Sequence, residues 1–148
     1  MGNRVIIVDL DGTISDPAKR LHLYKKGDYE EFNKAGKDDL PIENICNIIR
    51  GLKDEETDVS IVTARDASVR KETLAWLNLH DVPFDSLLMR AIGDNRSDAD
   101  VKLNLLNDEF LSLYDFKDIW FVLEDRGVCV DMWRGEGLTC LQVAPGDF

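Results

Sequence analysis

A short run of apolar, mostly β-branched residues, Val5-Ile6-Ile7-Val8, stops at a carboxylate, Asp9, and no other feature of the chain narrows its possible folds as much. A strand with one wet face alternates apolar and polar residues, whereas one apolar throughout is buried on both faces, as in a parallel sheet covered by helices. Similar runs follow at Val59-Ser60-Ile61-Val62, Ile119-Trp120-Phe121-Val122-Leu123 and Leu141-Gln142-Val143, with a weaker one at Ser86-Leu87-Leu88-Met89. Between them the period changes. Ile42, Ile45, Ile48, Ile49 and Leu52 recur at three and four residues behind Pro41, which predicts an amphipathic helix with proline at its start. Val69, Thr73, Trp76 and Leu77 predict a second helix with Asp66 as its N-cap, and Leu103, Leu106, Phe110 and Leu113 a third. A shorter helix is expected from Val128 to Arg134, ended by Gly135 and Gly137. Strands alternating with helices predict an α/β fold, a Rossmann-like parallel sheet of about five strands flanked by helices.

A length of 148 residues suits one compact domain over 1–148, and a 44% hydrophobic content supplies its core. Residues 15–40 break the alternation: they are rich in Lys, Asp, Glu, Gly and Tyr, and read as a small cap or lid inserted after the first strand. No apolar run approaches the ~20 residues of a membrane span, and Met1-Gly2-Asn3-Arg4 leads into a strand and not a signal sequence. A soluble cytoplasmic protein with no membrane partner is expected. Cys46, Cys129 and Cys140 have no metal-ligand spacing and are expected to pack as small hydrophobes. A net charge of -11 argues against coating nucleic acid by phosphate neutralisation, though not against holding one nucleic-acid end as substrate.

Asp9-Leu10-Asp11-Gly12-Thr13 begins where the first strand stops, and ligands of open parallel sheets bind beyond the carboxyl ends of the strands. There Asp9 could attack phosphorus, while Asp11 could protonate a leaving oxygen and then deprotonate water. A calcium loop fails, because its sixth and twelfth positions would be Ile14 and Arg20 where Gly and Glu are required. A plain polar turn remains open for the pentapeptide alone. The second long run ends at Thr63-Ala64-Arg65, whose hydroxyl and guanidinium suit phosphate oxygens, although Thr63 by itself could be an ordinary strand-end hydroxyl. Glu124-Asp125-Arg126 follows the next run directly. Two adjacent acids there repel one another unless a cation lies between them and Asp9, and an oxygen-only ligand set suits Mg²⁺; a solvated helix cap is the competing reading. Lys102, early in the third helix, does not favour the helix dipole, so it is either a surface lysine or paired with Asp9 and a phosphoryl group.

These segments in this order resemble the haloacid dehalogenase (HAD) superfamily of phosphotransferases: Asp9 and Asp11 match its first motif, Thr63 its second, Lys102 its third and Glu124-Asp125 its fourth. The resemblance implies a HAD-like fold, Asp9 as nucleophile and Asp11 as general acid/base. It also implies phosphate ligands Thr63 and Lys102, and Mg²⁺ held by Asp9, the Asp11 carbonyl and Asp125, with Glu124 beside them. Val62-Thr63-Ala64-Arg65, Met89-Arg90, Gly93 to Asp98, Glu124-Asp125-Arg126, Met132-Trp133-Arg134 and Gln142 to Phe148 are similar to the 3'-phosphatase domains of bacteriophage polynucleotide kinase/phosphatases. That likeness implies removal of 3'-phosphate from DNA or RNA ends in nucleic-acid repair, in the host cytoplasm if phage-encoded. It adds Arg20, Arg65, Arg90 and Asp98 as substrate-binding candidates, and a separate kinase or ligase as a possible partner.

The departures are specific. No G-x-x-x-x-G-K-[ST] loop is present, so no 5'-kinase activity is expected. Motif four is Glu-Asp where the phage domain has Asp-Asp, Thr63-Ala64-Arg65 replaces Ser-Gly-Arg, and the lid matches poorly beyond Arg20. Two rivals stay open: a phosphatase of free nucleotides or other small phosphometabolites, and a non-catalytic subunit that keeps the fold.

Overall fold

The computed structural model describes residues 3–148. Met1 and Gly2, part of the expected lead-in to the first strand, lie outside the described residues. Strand β1 (Arg4–Val8) is buried from Val5 onward. Because successive side chains alternate faces, Ile6 and Val8 enter one core while Val5 and Ile7 enter another. The chain continues through β2 (Ser15–Asp16), α1 (Leu21–Lys25), α2 (Tyr29–Ala35), β3 (Leu40–Pro41) and α3 (Glu43–Leu52). Next come β4 (Thr57–Asp66), α4 (Arg70–Leu79), β5 (Ser86–Arg90) and α5 (Asp98–Leu105). A π-helical turn, Leu106–Phe110, leads to α6 (Leu111–Leu113), β6 (Ile119–Glu124), α7 (Gly127–Gly135) and β7 (Cys140–Gln142).

The main sheet has the order β5-β4-β1-β6-β7 with every pairing parallel, so this is the expected α/β, Rossmann-like sheet of five strands. Helices α3 and α4 cover one face with Cys46, Ile49, Trp76 and Leu77. Helices α5 and α7 cover the other with Val101, Leu105, Cys129 and Trp133. Each such side chain, taken out of water, contributes about 1.5–3 kcal/mol. Val8 pairs with Ile61 on one side and Leu123 on the other, which brings Asp9 level with Val62 and Glu124, with Thr63 one residue further along the carboxyl edge. The winding direction reverses between β1 and β6, and in such sheets the crevice at the reversal is the ligand site.

Several elements differ from the sequence reading. Pro41 does not start α3; it pairs with Ser15 in the small β2/β3 ribbon, where its missing N–H is tolerated, and α3 begins at Glu43. The third stripe is not one regular helix. Leu105 and Phe110 are five residues apart, out of step with a 3.6 period, and the π turn takes up the extra residue so that both stay buried. Leu113 is exposed in consequence. Asp66 does act as a cap, accepting from the Ser68 N–H at 2.8 Å, but on the short 3₁₀ turn Ala67–Val69 that precedes α4. Residues 15–40, which show little periodicity, carry two short helices, with Phe32 and Gly36 buried. All three cysteines are buried and unpaired; burial pushes the Cys129 thiol up to about 12 and Cys140 to about 11, so both pack as neutral groups. No helix among the described residues is long and apolar enough to cross a membrane.

Candidate active site

Beyond β1 the chain closes a tight loop, in which the Ile14 N–H donates to the Leu10 carbonyl at 3.0 Å and the Gly12 N–H to the Ser15 carbonyl at 2.8 Å. Gly12 has φ +88°, and a Cβ there would fall 2.1 Å from Asp125 Oδ2, so this position needs glycine for both conformation and space. The turn sets the Thr13 hydroxyl 3.0 Å from Asp9 Oδ2 and 3.4 Å from Asp125 Oδ1, tying β1 to the acids after β6.

Lys102 reaches Asp9 from the opposite layer. Its Nζ donates to Asp9 Oδ1 at 2.7 Å and to Glu124 Oε2 at 2.6 Å, and the lysine is 2% exposed. It sits in the second half of the short α5 and not at the start of a long helix, so the dipole argument for it falls; two buried carboxylates hold it instead. Burial works against its ammonium, but Asp9 and Glu124 overcome that and raise its pKa well above the usual lysine range. Glu124 also accepts from Trp133 Nε1 at 3.3 Å and from the Asp125 N–H at 3.2 Å. Burial, then the Asp9 charge, pushes Glu124 up to about 7 against the pull of Lys102; the same two causes push Asp125 up to about 9.

Asp9, Glu124 and Asp125 offer oxygens all within 4.8 Å of one another. Three buried acids facing one ammonium leave surplus negative charge, which adds to burial in raising the Glu124 and Asp125 pKa values and which a cation relieves. An all-oxygen donor set fits a hard ion such as Mg²⁺. Glu124 is already committed to Lys102 and Trp133, and Asp9 to Lys102 and Thr13, so Asp125, met by Thr13 at a longer 3.4 Å, has the freer oxygens. The Asp11 side chain takes no part in this cluster.

Asp11 faces two arginines. Arg65 Nη2 donates to its Oδ1 at 2.5 Å, Arg65 Nε lies 3.3 Å from Oδ2, and Arg20 Nη2 contacts Oδ1 as well. Burial alone would raise the Asp11 pKa, but the Arg65 and Arg20 charges hold it well below the ordinary carboxylate range. The two guanidiniums thus favour the carboxylate form of Asp11 in this geometry, so a proton-donor role requires that substrate change its surroundings. Arg20 is fixed by Asp39, which accepts from its Nε at 2.8 Å and Nη2 at 2.7 Å, and its guanidinium lies over the Phe32 ring at 4.1 Å. Arg65 donates to the Thr73 hydroxyl at 3.1 Å, and a Cβ on Gly36 would meet its Nη2 at 2.9 Å. Thr63 Oγ1 accepts from the Arg65 backbone N–H at 3.0 Å, which fixes the hydroxyl at the strand end.

The remaining candidates form a bridge. Asp98 accepts from Arg90 Nη2 at 2.7 Å and from Arg126 Nη1 at 2.6 Å, while Arg90 also donates to the Ala64 carbonyl at 2.8 Å. Arg126 continues to the Tyr24 hydroxyl at 3.0 Å. Asp98 thus holds two arginines at the cavity wall, which it also lines. Above Asp9 opens this cavity of about 560 Å³, lined by Asp9, Asp11, Thr63, Arg65, Lys102, Glu124 and the bridge of Arg90, Asp98 and Arg126, together with Tyr24, Tyr29 and Phe148. Sequence reasoning brought together Asp9, Asp11, Thr63, Lys102, Arg20, Arg65, Arg90 and Asp98, all of them lining this cavity or, for Arg20, touching Asp11. It assigned no role to Thr13, Asp39, Arg126, Tyr24 or Phe148. Arg126 was visible as the residue after the acidic pair, whereas Asp39 lies in a segment without periodicity and gives no local signal.

Comparison with known proteins agrees with this geometry. Residues 3–148 match the family described as the polynucleotide kinase PNKP phosphatase domain. A curated relative from Autographa californica nuclear polyhedrosis virus, described as a bifunctional polynucleotide kinase/RNA ligase, is 24% identical over 132 residues, which is 88% of this chain and 18% of that one. A chain of the Pnkp1/Rnl/Hen1 RNA repair complex superposes with TM-score 0.81 at 32% identity, covering 98% of this chain and 43% of that chain. The HAD-hydrolase YfnB from Bacillus subtilis, described as bound to magnesium, shares the fold at TM-score 0.64 and 12% identity, covering 97% and 94%. The chain spans about a fifth of the viral relative and under half of the repair-complex chain. With the match running from Asn3 to Phe148 over a HAD-like sheet, the chain belongs to the polynucleotide kinase phosphatase domain family of HAD phosphatases.

Proposed function

We propose that this phosphatase removes 3'-phosphate from polynucleotide ends through an aspartyl-phosphate on Asp9. The observation that carries the reading is the position of Asp9: one oxygen bonded to Lys102 at 2.7 Å, the other to Thr13 at 3.0 Å, at the reversal point of the sheet and beside the Asp11 carboxylate. Lys102, Thr63 and Arg65 receive the phosphate oxygens and hold phosphorus in line with Asp9, offsetting repulsion between the two anions. An Asp9 oxygen bonds phosphorus as the P–O3' bond breaks, and the departing oxygen takes a proton from Asp11. Asp11 then takes a proton from the water that hydrolyses the acyl phosphate, releasing inorganic phosphate and regenerating Asp9.

Asp11 must acquire that first proton on substrate binding. Phosphate brings negative charge beside Asp11 and competes for Arg65, and both effects raise the proton affinity of the carboxylate. Mg²⁺ bound by Asp9, Asp125 and the Asp11 carbonyl would supply neutralisation of phosphate charge. The segment 15–40 acts in this reading as a cap, since it delivers Tyr24 and Tyr29 to the cavity and Arg20 to Asp11. The 3'-end assignment draws on the family match and on relatives described as parts of RNA repair and kinase/ligase systems, which also support a separate kinase or ligase partner.

The test is phosphate release from 3'-phosphorylated and 5'-phosphorylated oligonucleotides and from a free 3'-mononucleotide, with Mg²⁺ present. The reading expects 3' ends to be preferred over 5' ends by at least about ten-fold in kcat/KM, the factor that roughly 1.4 kcal/mol of differential transition-state binding supplies. Clear preference for the mononucleotide favours the rival reading, a phosphatase of free nucleotides. Failure on every phosphomonoester favours a non-catalytic subunit.

A further inference from the structure

We propose that Tyr29 and Phe148 form a stacking platform for the nucleobase of the terminal nucleotide; the proposal rests on the polynucleotide reading above. The catalytic cavity is larger than its chemistry requires. Its base, around Asp9, Thr63, Arg65 and Lys102, suffices for a phosphate, yet the space continues outward to about 560 Å³, within the roughly 300–1,000 Å³ that encloses small-molecule-sized ligands. The outer wall is aromatic. Tyr24 stands at its centre, with ring centroids of Tyr29 at 5.3 Å, Phe32 at 5.3 Å and Phe148 at 5.8 Å.

The members of this wall differ in how far they are used up. Phe32 is buried and lies against Arg20, and Tyr24 is engaged through its hydroxyl with Arg126. Tyr29 is 57% exposed although it lines the cavity, and it meets Tyr24 in a T-shaped contact that does not cover both ring faces. Phe148 is brought to the rim by specific local structure. After β7 the chain runs beside the acidic pair, with the Val143 N–H donating to the Glu124 carbonyl at 3.0 Å and Gln142 Nε2 to the Asp125 carbonyl at 3.0 Å. Gly146 then turns at φ +58°, where a Cβ would fall 2.3 Å from the Asp125 carbonyl oxygen. This turn leads to Phe148, whose ring has the Arg126 guanidinium 5.2 Å from its centroid.

Charge argues for a base as the occupant. With a net charge of -11 the surface beyond the cavity's own cations offers little attraction to a polyanion, so contacts indifferent to charge would add to the hold on an end. Base–aromatic stacking is such a contact; it tolerates any base and weakens affinity by roughly 5- to 150-fold when the ring is removed. A second aliphatic or polar ligand would leave the exposed Tyr29 face without use.

The experiment compares kcat/KM of the full chain on a 3'-phosphorylated oligonucleotide and on the same oligonucleotide with an abasic 3'-terminal residue. Wild type should prefer the base-bearing end, and Tyr29→Ala and Phe148→Ala should each lower that ratio by about ten-fold, mainly through KM. Tyr29→Trp should restore the ratio and show tryptophan fluorescence quenched by the base-bearing end and not by the abasic one. Equal losses on both substrates, or a wild type without preference, overturn the platform while leaving 3'-phosphatase activity standing. A wild type inactive on 3'-phosphorylated ends overturns the polynucleotide reading itself, and the platform with it.

Discussion

Replacing Lys102 by methionine keeps the length of the side chain and removes its charge, and the structure sets the scale of the consequence. The lysine is 2% exposed and bonded to two carboxylates whose side chains are 7% and 1% exposed, so the variant buries Asp9 and Glu124 against Asp125 with no cation among them. Breaking a buried pair by removing one partner costs about 3–5 kcal/mol, a large share of the roughly 5–15 kcal/mol that holds a domain together. The cost should depend on pH. Lys102 pulls the Glu124 pKa down from where burial and Asp9 push it, and even so it stands at about 7 against an ordinary 4.5. A carboxyl whose folded pKa exceeds its unfolded value carries no penalty below the unfolded value, and a penalty that grows until pH passes the folded one. Without Lys102 the folded value climbs further, so the deficit of the variant should be larger at pH 8 than at pH 5.5. Urea unfolding at both pH values without added divalent cation measures this, and Glu124→Gln added to Lys102→Met should recover part of the loss. A deficit under about 1 kcal/mol, or one that grows toward acid pH, would refute the idea of a charge-surplus centre.

Gly12→Ala should cost about 1–3 kcal/mol for its positive φ and, because the new methyl group meets Asp125, should raise the Mg²⁺ concentration needed for half-maximal binding in calorimetric titration; unaltered binding would count against Asp125 as a ligand. Asp39→Asn removes the charge from a bidentate partner of Arg20 and should lower stability by about 1.5–3 kcal/mol in urea unfolding, with no loss expected only if Arg20 finds another acceptor. Contact with a few phosphates near the end predicts a shallow salt dependence, with log(kcat/KM) falling by about 1–2 per decade of salt; a slope steeper than about 3 would mean an extended phosphate track that the structure does not show.

The parts of the molecule legible in the sequence are those where chemistry and geometry share a few neighbouring residues. Val5 to Val8, short and β-branched, reads as a doubly buried strand, and Asp9-Leu10-Asp11-Gly12-Thr13 follows it directly, so strand, turn and acids are read together. Lys102 is legible only through resemblance, since its two partners lie 93 and 22 residues away and the dipole argument for it does not survive the short α5. The π turn at Leu106–Phe110 defeats a search for a 3.6 period, because the core accepts Leu105 and Phe110 five residues apart. Asp39 and Phe148 were invisible as site residues for a different reason. Their contacts are long-range, Asp39 with Arg20 and Phe148 with Tyr24 and Arg126, and no local pattern announces such pairings. The electrostatics of Asp11 are hidden on the same ground: two guanidiniums arriving from distant segments hold its carboxyl low.

The central claim is that Asp9 attacks phosphorus. Mixing the protein with a 3'-phosphorylated oligonucleotide and Mg²⁺, quenching with acid within one turnover and locating bound phosphate by peptide mass analysis tests it directly. The account predicts a hydroxylamine-labile phosphate on the peptide bearing Asp9, absent in Asp9→Asn. Phosphate released in that turnover with no adduct on Asp9, or an adduct on another residue, would contradict it.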